Sequence, residues 1–587
     1  MGINLGVHPA CKPKNIIVEG PYFESVSTSF YFDVPLVYKL FGKFDYQLNT
    51  HPPDWFYNYV DMKKINVSDI PWWQIDDFDP DHGDIKNFWE LSRFSWAPFL
   101  AFSILEDNSK IVILNHWIES WVQANKEGFG IHWKCAQECS FRILNLAITS
   151  LILGSEYKLT TGLKNFLITH LNRIDKSTHY AVAQQNNHAT SEAAALIIGG
   201  SWLSLNKIPN GKQYYAKGLK LLEKACKKLI TNEGLFSQSS SNYHRLVLDT
   251  FTLIDAWRQV HDLPMLSQTF YRKFEKLFRV FFMITEEGTG NFPFFGANDG
   301  ANLFSFTHYD YKSAKPSIFL AENILFEEPL LKAHCPYLKY FGSKFYNKPK
   351  NFKNSFTPSQ IIQCNQSGFN IIKYYENLLI FRRPIFKFRP SQNDCMHIEF
   401  WNNSRNILRD AGSFSYNNKF DLIEQFDSSI GHNTVIFDGR DSMNRISRFL
   451  YSNWPKEINC IDLHKDGEDY VMGSTVKYLN KYFHSRKIKL SEDHLCIDDK
   501  ISGFDHHALM QLRLENNSWQ LEQSSDYGII ISSKESKIIF NIETNVPIAS
   551  ANIIQLPESC YYNSFNFAPV FQMTVNQSGV IKTTLSY

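Results

Sequence analysis

Residues 134–153, KCAQECSFRILNLAITSLIL, carry apolar side chains at helical spacing and stop at Gly154. The same rhythm runs outward through 189–206, 213–230 (QYYAKGLKLLEKACKKLI), 244–260 and 268–284, with short polar or Gly-containing turns between them. Long amphipathic helices joined by short turns must pack antiparallel, as a bundle or a ring of helix hairpins. The character changes after about residue 340. Residues 342–366 are polar, carry Pro349 and Pro358, and read as a linker. Short β-rich runs follow at 368–388, 397–401, 429–438 and 494–503, with a hairpin over 527–545. No long helical pattern interrupts them, so an antiparallel β-sandwich is the economical reading. The expected organisation is α+β and multidomain: a mixed, aromatic-rich segment over 1–75, a helical domain over 76–341, the linker 342–366 and a sandwich over 367–587.

A chain of 587 residues is too long for one ordinary core, which agrees with two large domains. Its 44% hydrophobic and 20% charged residues exclude disordered and collagen-like classes. A formal net charge of +1 excludes a broadly basic nucleic-acid binder, so an acidic partner must be met by a local cluster. Arg382, Arg383, Lys387 and Arg389 in RRPIFKFR form one such cluster, or else the wet face of a strand. Aromatics reach 15%, which suits sugar stacking as well as a large core. The ten cysteines, Cys11 among them, include no C-x-x-C pair, and a chain with this much core needs no disulfide framework. The N-terminus shows no apolar signal segment and no run of 18 apolar residues occurs, so a cytoplasmic protein without a membrane span is expected, or a periplasmic one if the true start differs.

Two polar, His-bearing junctions open successive helices. Gln184-Gln185-Asn186-Asn187-His188 precedes one, and Ser239-Ser240-Ser241-Asn242-Tyr243-His244 precedes another. Either Asn is also a good helix cap, which is the bland reading. If both junctions lie on one rim of a helical ring, they face a common site. In the second half, His432 beside Asn433 and Thr434 reads as a metal ligand or as part of a strand-edge polar network.

These segments resemble the heparinase II/III family. The resemblance rests on Asp84-Ile85-Lys86-Asn87-Phe88-Trp89-Glu90-Leu91-Ser92-Arg93; on Ile131-His132-Trp133 with Glu138, Arg142 and Asn145; and on Asn186-Asn187-His188 with Glu192. It continues in Ser240-Ser241-Asn242-Tyr243-His244, and in Gly431-His432-Asn433-Thr434-Val435 with Asp438-Gly439. The resemblance implies an incomplete α/α toroid followed by an antiparallel β-sandwich. It also implies β-elimination on an acidic polysaccharide or oligosaccharide containing uronic acid, the cell's own surface or capsular glycan being one source. The C5 proton of a uronate is weakly acidic, so such a site must neutralise the carboxylate with fixed donors. By position Asn187 is the neutraliser, helped by His188, and Tyr243 is the acid and, in a syn elimination, also the base. A phenol does both only if neighbours such as His188 or His244 draw it toward ionisation. Trp133, Arg142, Glu192, His244 and Asn298 are the implied substrate-binding residues.

One departure matters. Counting back from Asp410-Ala411-Gly412 puts the family's H-x-H-x-D pattern on Pro390–Asp394, where both histidines are missing. His397, three residues later, is the expected catalytic substitute through a slip or bulge. Asp410 and His432 are the remaining metal ligands; no cofactor is required, and a structural Zn or Ca ion is the one candidate. Two other readings stay open. A glycoside hydrolase would use paired carboxylates from Glu90, Glu192 and Asp299, and an inactive glycan-binding or assembly protein would keep the fold alone. The oligomeric state is not written in the sequence.

Overall fold

The computed structural model describes residues 20–26, 30–76, 78–79, 83–332, 334–345, 348, 350, 352, 360–417 and 420–587. Cys11 and most of the proposed linker's middle, 353–359, lie outside them. Eleven α-helices fill the described part of the first half: α1 (Ile85–Ser92), α2 (Trp96–Glu106), α3 (Ile111–Ala124), α4 (Ala136–Leu153), α5 (Thr161–Gln184), α6 (His188–Leu205), α7 (Gly211–Leu229), α8 (Ser241–Val260), α9 (Gln268–Met283), α10 (Lys315–Leu325) and α11 (Pro336–Ser343). None is long and apolar enough to cross a membrane.

The start and stop signals act as expected. Asp84, Thr160, Ser240 and Ser267 each accept a backbone N–H in the first turn of α1, α5, α8 and α9, and α4 ends on the left-handed Gly154. Helix α6 is buried from Ala189 to Leu203, because it packs on α4, α5, α7 and α8 at once. Its contact with α7 is close: a Cβ on Gly218 would come 2.8 Å from the Ile197 backbone nitrogen. Residues of the aromatic-rich segment join this core, with Tyr22, Phe41 and Trp55 all buried in it.

The named strands of the second half all pair antiparallel. A five-stranded sheet runs Arg405–Leu408, Ile398–Asn402, Asn377–Arg382, Phe369–Tyr374, Ile361–Cys364 in spatial order. Beside it stand a four-stranded sheet (Val435–Phe437, Ala508–Arg513, Ser564–Val575, Ile548–Tyr561), an eight-stranded sheet built around Tyr482–Leu490 and His494–Ser502, a two-stranded one (Asn444–Ser447, Leu450–Ser452) and a short helix, Phe420–Asp427. The ends of the expected linker are structured, the first within α11 and the last in the edge strand Ile361–Cys364.

The five-stranded sheet is a wall between two cores. Ile371, Leu378 and Ile380 pack into the helical core, whereas Ile372, Leu379 and Phe381 pack into the sandwich core. Alternate side chains point to opposite faces, and both faces are covered, so NLLIFR is apolar at nearly every position and entirely buried. Asp84 fastens this seam: its carboxylate accepts from Ser415 Oγ at 3.0 Å and from Tyr562 Oη at 2.5 Å, both in the β half.

Candidate active site

The two His-bearing junctions do meet. The Asn187 N–H donates to Gln238 Oε1 at 2.9 Å, and Ser237 Oγ donates to the Gln185 carbonyl at 3.0 Å. At the first junction the capping bond belongs to Asn186, whose Oδ1 accepts the His188 N–H at 3.1 Å. Asn187, in the N-cap position, makes no side-chain cap bond, so the bland reading of that residue loses its basis. At the second junction, Ser240 Oγ accepts the Tyr243 N–H at 3.1 Å and donates to the Ala297 carbonyl at 2.5 Å. Gly296 makes this clamp fit: it sits at φ +73°, and a Cβ there would lie 2.3 Å from the Ser239 carbonyl.

Tyr243 is 6% exposed, and its hydroxyl lies 2.9 Å from that of Tyr416, in the loop after Asp410. Burial, then the charge of Asp299, hold the Tyr243 phenol well above its usual range. Neither expected ioniser changes this. His244 is buried, its Nε2 faces the Leu277 carbonyl at 2.9 Å, and burial takes it down to about 4. His188 is half-buried, and its pKa is lowered by burial more than Glu192 raises it; its Nδ1 lies 3.8 Å from Cys135 Sγ. Tyr243 thus keeps its proton, and burial favours the uncharged form of His188.

Lys86 and Tyr416 complete the constellation, and the sequence reading gave neither a role. Lys86 Nζ is 2.7 Å from Asp299 Oδ2 and 5.3 Å from the centre of the Tyr416 ring. Burial opposes ionisation of Asp299, but Lys86 and Arg93 outweigh it and bring the carboxyl down to about 2. The only signal for Lys86 was its place in the D-I-K segment; Tyr416 was one aromatic in a polar stretch. A small cavity beside Tyr416 is lined by Ser391, Gln392, Ser413, Ser415, Arg445 and Arg448 among others.

Several residues expected to contact substrate are engaged in internal hydrogen bonds. Trp133 and Arg142 are fully buried; Arg142 donates to His170 Nε2 at 2.9 Å and to the His132 carbonyl at 2.9 Å, with its guanidinium over Trp121. Asn298 Oδ1 accepts the Gly300 N–H at 2.9 Å and faces Tyr311 Oη at 2.7 Å. Glu192, one turn after His188, is buried with Oε2 unpartnered, and burial pushes its carboxyl up to about 8. Arg382 and Arg383 of the basic run are spent on Asp394 at 3.1 Å and Glu457 at 2.7 Å. Of the carboxylates a hydrolase would need, Glu90 is held by the Phe41 N–H and Tyr38, and Asp299 by Lys86.

His397 is found elsewhere than expected. It is 2% exposed and does not line the cavity beside Tyr416; it joins Asp410 and His432 in a buried cluster whose ligand atoms all lie within 4.8 Å. His432 Nδ1 is 3.0 Å and His397 Nε2 3.6 Å from Asp410 Oδ2. Two imidazoles and a carboxylate at such spacings suit three corners of a zinc tetrahedron with bonds of roughly 2.0–2.2 Å. One contact opposes it: His397 Nδ1 accepts the Asn433 N–H at 2.9 Å, which puts the ring proton of neutral His397 on Nε2. Asp394, paired with Arg382 at 3.1 Å, lies outside this group, and the Gln392 amide nitrogen donates to the Gly412 carbonyl at 3.1 Å.

Two family models match, the heparinase II/III N-terminus over residues 43–302 and the heparinase II/III-like C-terminal domain over 357–584. No curated protein matches by sequence. Among solved structures, a heparinase III aligns with a TM-score of 0.64 at 15% identity, over 91% of this chain and 82% of that one. A heparan sulfate lyase from Pedobacter heparinus aligns at 0.54 and 16% identity, over 88% and 78%. A chondroitin AC lyase from Streptomyces coelicolor A3 aligns at 0.50 and 8% identity, over 86% and 75%. At these identities the structural likeness is one of fold: a helical toroid followed by a sandwich. With its toroid and its sandwich each matched by the corresponding model, this chain belongs to the heparinase II/III family.

Proposed function

We propose that the chain is a polysaccharide lyase that cleaves a uronic-acid-containing glycan by β-elimination. The observation that carries the reading is the protonated Tyr243 phenol, held against Tyr416 beside Lys86. The Asn187 amide and Lys86 neutralise the uronate carboxylate and so acidify the C5 proton. Tyr243 delivers its proton to the departing O4. Its raised pKa suits an acid and disfavours a phenolate, so neutral His188, with one free lone pair, is the better proton acceptor of the two.

The charge distribution supports a substrate with few sulfates. Many of the buried arginines are already committed inside the protein: Arg93 to Glu138, Arg382 to Asp394, Arg383 to Glu457 and Arg486 to Asp499. An unsulfated or sparsely sulfated uronate polymer, such as a cell-surface or capsular glycan, fits better than heparin. The His397, Asp410 and His432 cluster is proposed to hold a zinc-type ion structurally, the His397 ring proton moving from Nε2 to Nδ1 and the Asn433 N–H contact being given up on binding. No step of the elimination runs through it.

The test is an ultraviolet assay for the new C4–C5 double bond on a panel of uronate polysaccharides with and without sulfate. Absorbance appearing on the unsulfated members is the expected result. New reducing ends without absorbance would mean hydrolysis, and fastest turnover of heparin would sink the charge argument.

A further inference from the structure

The hairpin of Asn444–Ser447 and Leu450–Ser452 turns through two residues, Arg448 and Phe449, with Ser447 and Leu450 paired across its end. A connection this short favours Gly, Asn or Asp, because at least one of its residues takes a positive φ. Here that residue is Phe449, at φ +62°. A bulky side chain is disfavoured in the left-handed region and persists only where its surroundings hold it there. Turn chemistry does not ask for phenylalanine at this position; the surroundings of its ring do.

The hairpin packs little of its own apolar surface, with Ile446 62% and Leu450 41% exposed. It is fixed to the body by the buried Tyr451 and by Arg445, whose Nη2 is 3.0 Å from Asp427 Oδ2. Its turn reaches the cavity beside Tyr416, which Phe449, Arg445 and Asp427 help to line. The Phe449 ring meets the Tyr416 ring edge to face, with centroids 4.8 Å apart and planes at 84°. Tyr416 belongs to no helix or strand, so neighbouring side chains must place it. Two others share that task. The Tyr562 ring stands 5.5 Å away and its hydroxyl accepts the Tyr416 N–H at 2.9 Å, while Lys86 Nζ lies 5.3 Å from the ring centre. The hydroxyl of the ring so held is the one 2.9 Å from that of Tyr243.

We propose that Phe449 is a positioning residue, its ring bracing Tyr416 so that the Tyr416 hydroxyl stays on the proton donor Tyr243. The effect on rate rests on the lyase reading; the contact does not. The variants are Phe449→Gly, Phe449→Tyr and, on the same hairpin, Ile446→Ala. Glycine suits the left-handed backbone, and that relief offsets the lost ring contact, so the Tm of Phe449→Gly should hold. On the best uronate polysaccharide its kcat should nevertheless fall about tenfold with KM within about threefold, because small displacements of a reacting group are costly. Phe449→Tyr, which keeps the ring, and Ile446→Ala should both stay within about twofold of wild type. In a Tyr416→Phe background Phe449→Gly should cost nothing further, since the hydroxyl it places is gone. Independently of turnover, the fluorine NMR resonance of 3-fluorotyrosine in place of Tyr416 should shift or broaden in Phe449→Gly and stay put in Ile446→Ala. The proposal is overturned if Phe449→Gly keeps more than about half of wild-type kcat, if its loss multiplies with that of Tyr416→Phe, or if the fluorine resonance does not move. Absence of elimination on every polysaccharide would defeat the lyase reading alone, and the fluorine resonance would then decide whether Phe449 holds Tyr416.

Discussion

Replacing Tyr243 by Phe removes one oxygen from a side chain that is only 6% exposed and leaves the ring in place. The structural loss is the hydroxyl contact with Tyr416 at 2.9 Å, about 1 kcal/mol for one hydrogen bond. Against a total stability of roughly 5–15 kcal/mol the variant stays folded. The catalytic loss is of another size. A positioned acid contributes roughly 10²–10⁴ in rate, or about 3–5 kcal/mol of barrier. The expected outcome is therefore a fall in kcat of at least about a hundredfold, with KM within about threefold, because the carboxylate-binding groups Asn187 and Lys86 are untouched. The assay is initial-rate ultraviolet absorbance on the best substrate of the panel, run beside Tyr416→Phe. That second variant keeps the Tyr243 proton and loses only its partner, so a drop of about tenfold is expected. The reasoning is refuted if Tyr243→Phe keeps more than about a tenth of wild-type kcat. It is equally refuted if Tyr416→Phe is the more damaging of the two, for then Tyr416 is the proton donor.

Three further outcomes are expected. The Glu192 carboxyl is raised from 4.5 to about 8, so its protonated form contributes stability that is full below about pH 4.5 and is lost as the pH rises through about 8; Glu192→Gln should flatten the decline of Tm between pH 6 and 9, and parallel Tm profiles would argue against it. Dialysis of the protein against zinc should leave about one ion per chain and raise Tm, by about 2.7 kcal/mol of stability at a hundredfold excess over Kd; His432→Ala should abolish both, whereas a metal-free wild type would show that the His397 proton stays in place. At Gly412, φ is +80° and an added Cβ would lie 1.9 Å from the Ser559 carbonyl, so Gly412→Ala should cost at least about 2 kcal/mol in a denaturant melt, and a change under about 0.5 kcal/mol would mean the backbone there yields freely.

The helical half was largely legible because its signals are local. The apolar rhythm, the Ser and Thr caps and Gly154 lie within one helix each, and α4 and α6–α9 fall within a few residues of the expected runs. The strand Asn377–Arg382 was legible as β although it does not alternate, because its run is short and bounded by turn residues. Site residues were legible where a loop-to-helix junction concentrates polar groups, as at Asn187 and Tyr243. They were not where partners are distant in the chain: Tyr416 meets Tyr243 across 173 positions and Lys86 meets Asp299 across 213. Trp133 and Arg142 show the converse, because belonging to a motif does not tell a buried framework residue from one that faces the cleft. The approach of His397 to Asp410 was not legible, because counting back through a loop does not fix which side chains meet in space.

The contact between the two tyrosine hydroxyls has a consequence for how such a protein can be inherited. Tyr243 comes from α8 and Tyr416 from a loop of the β half, while Asp84 beside them is held by Tyr562, 478 positions away. Neither half carries the site by itself. A recombination that exchanged one half for that of a distant relative would deliver two sound folds and a broken catalyst, unless the residues along the seam travelled together. The two halves must therefore evolve as one lineage, with substitutions on one side of the wall answered on the other.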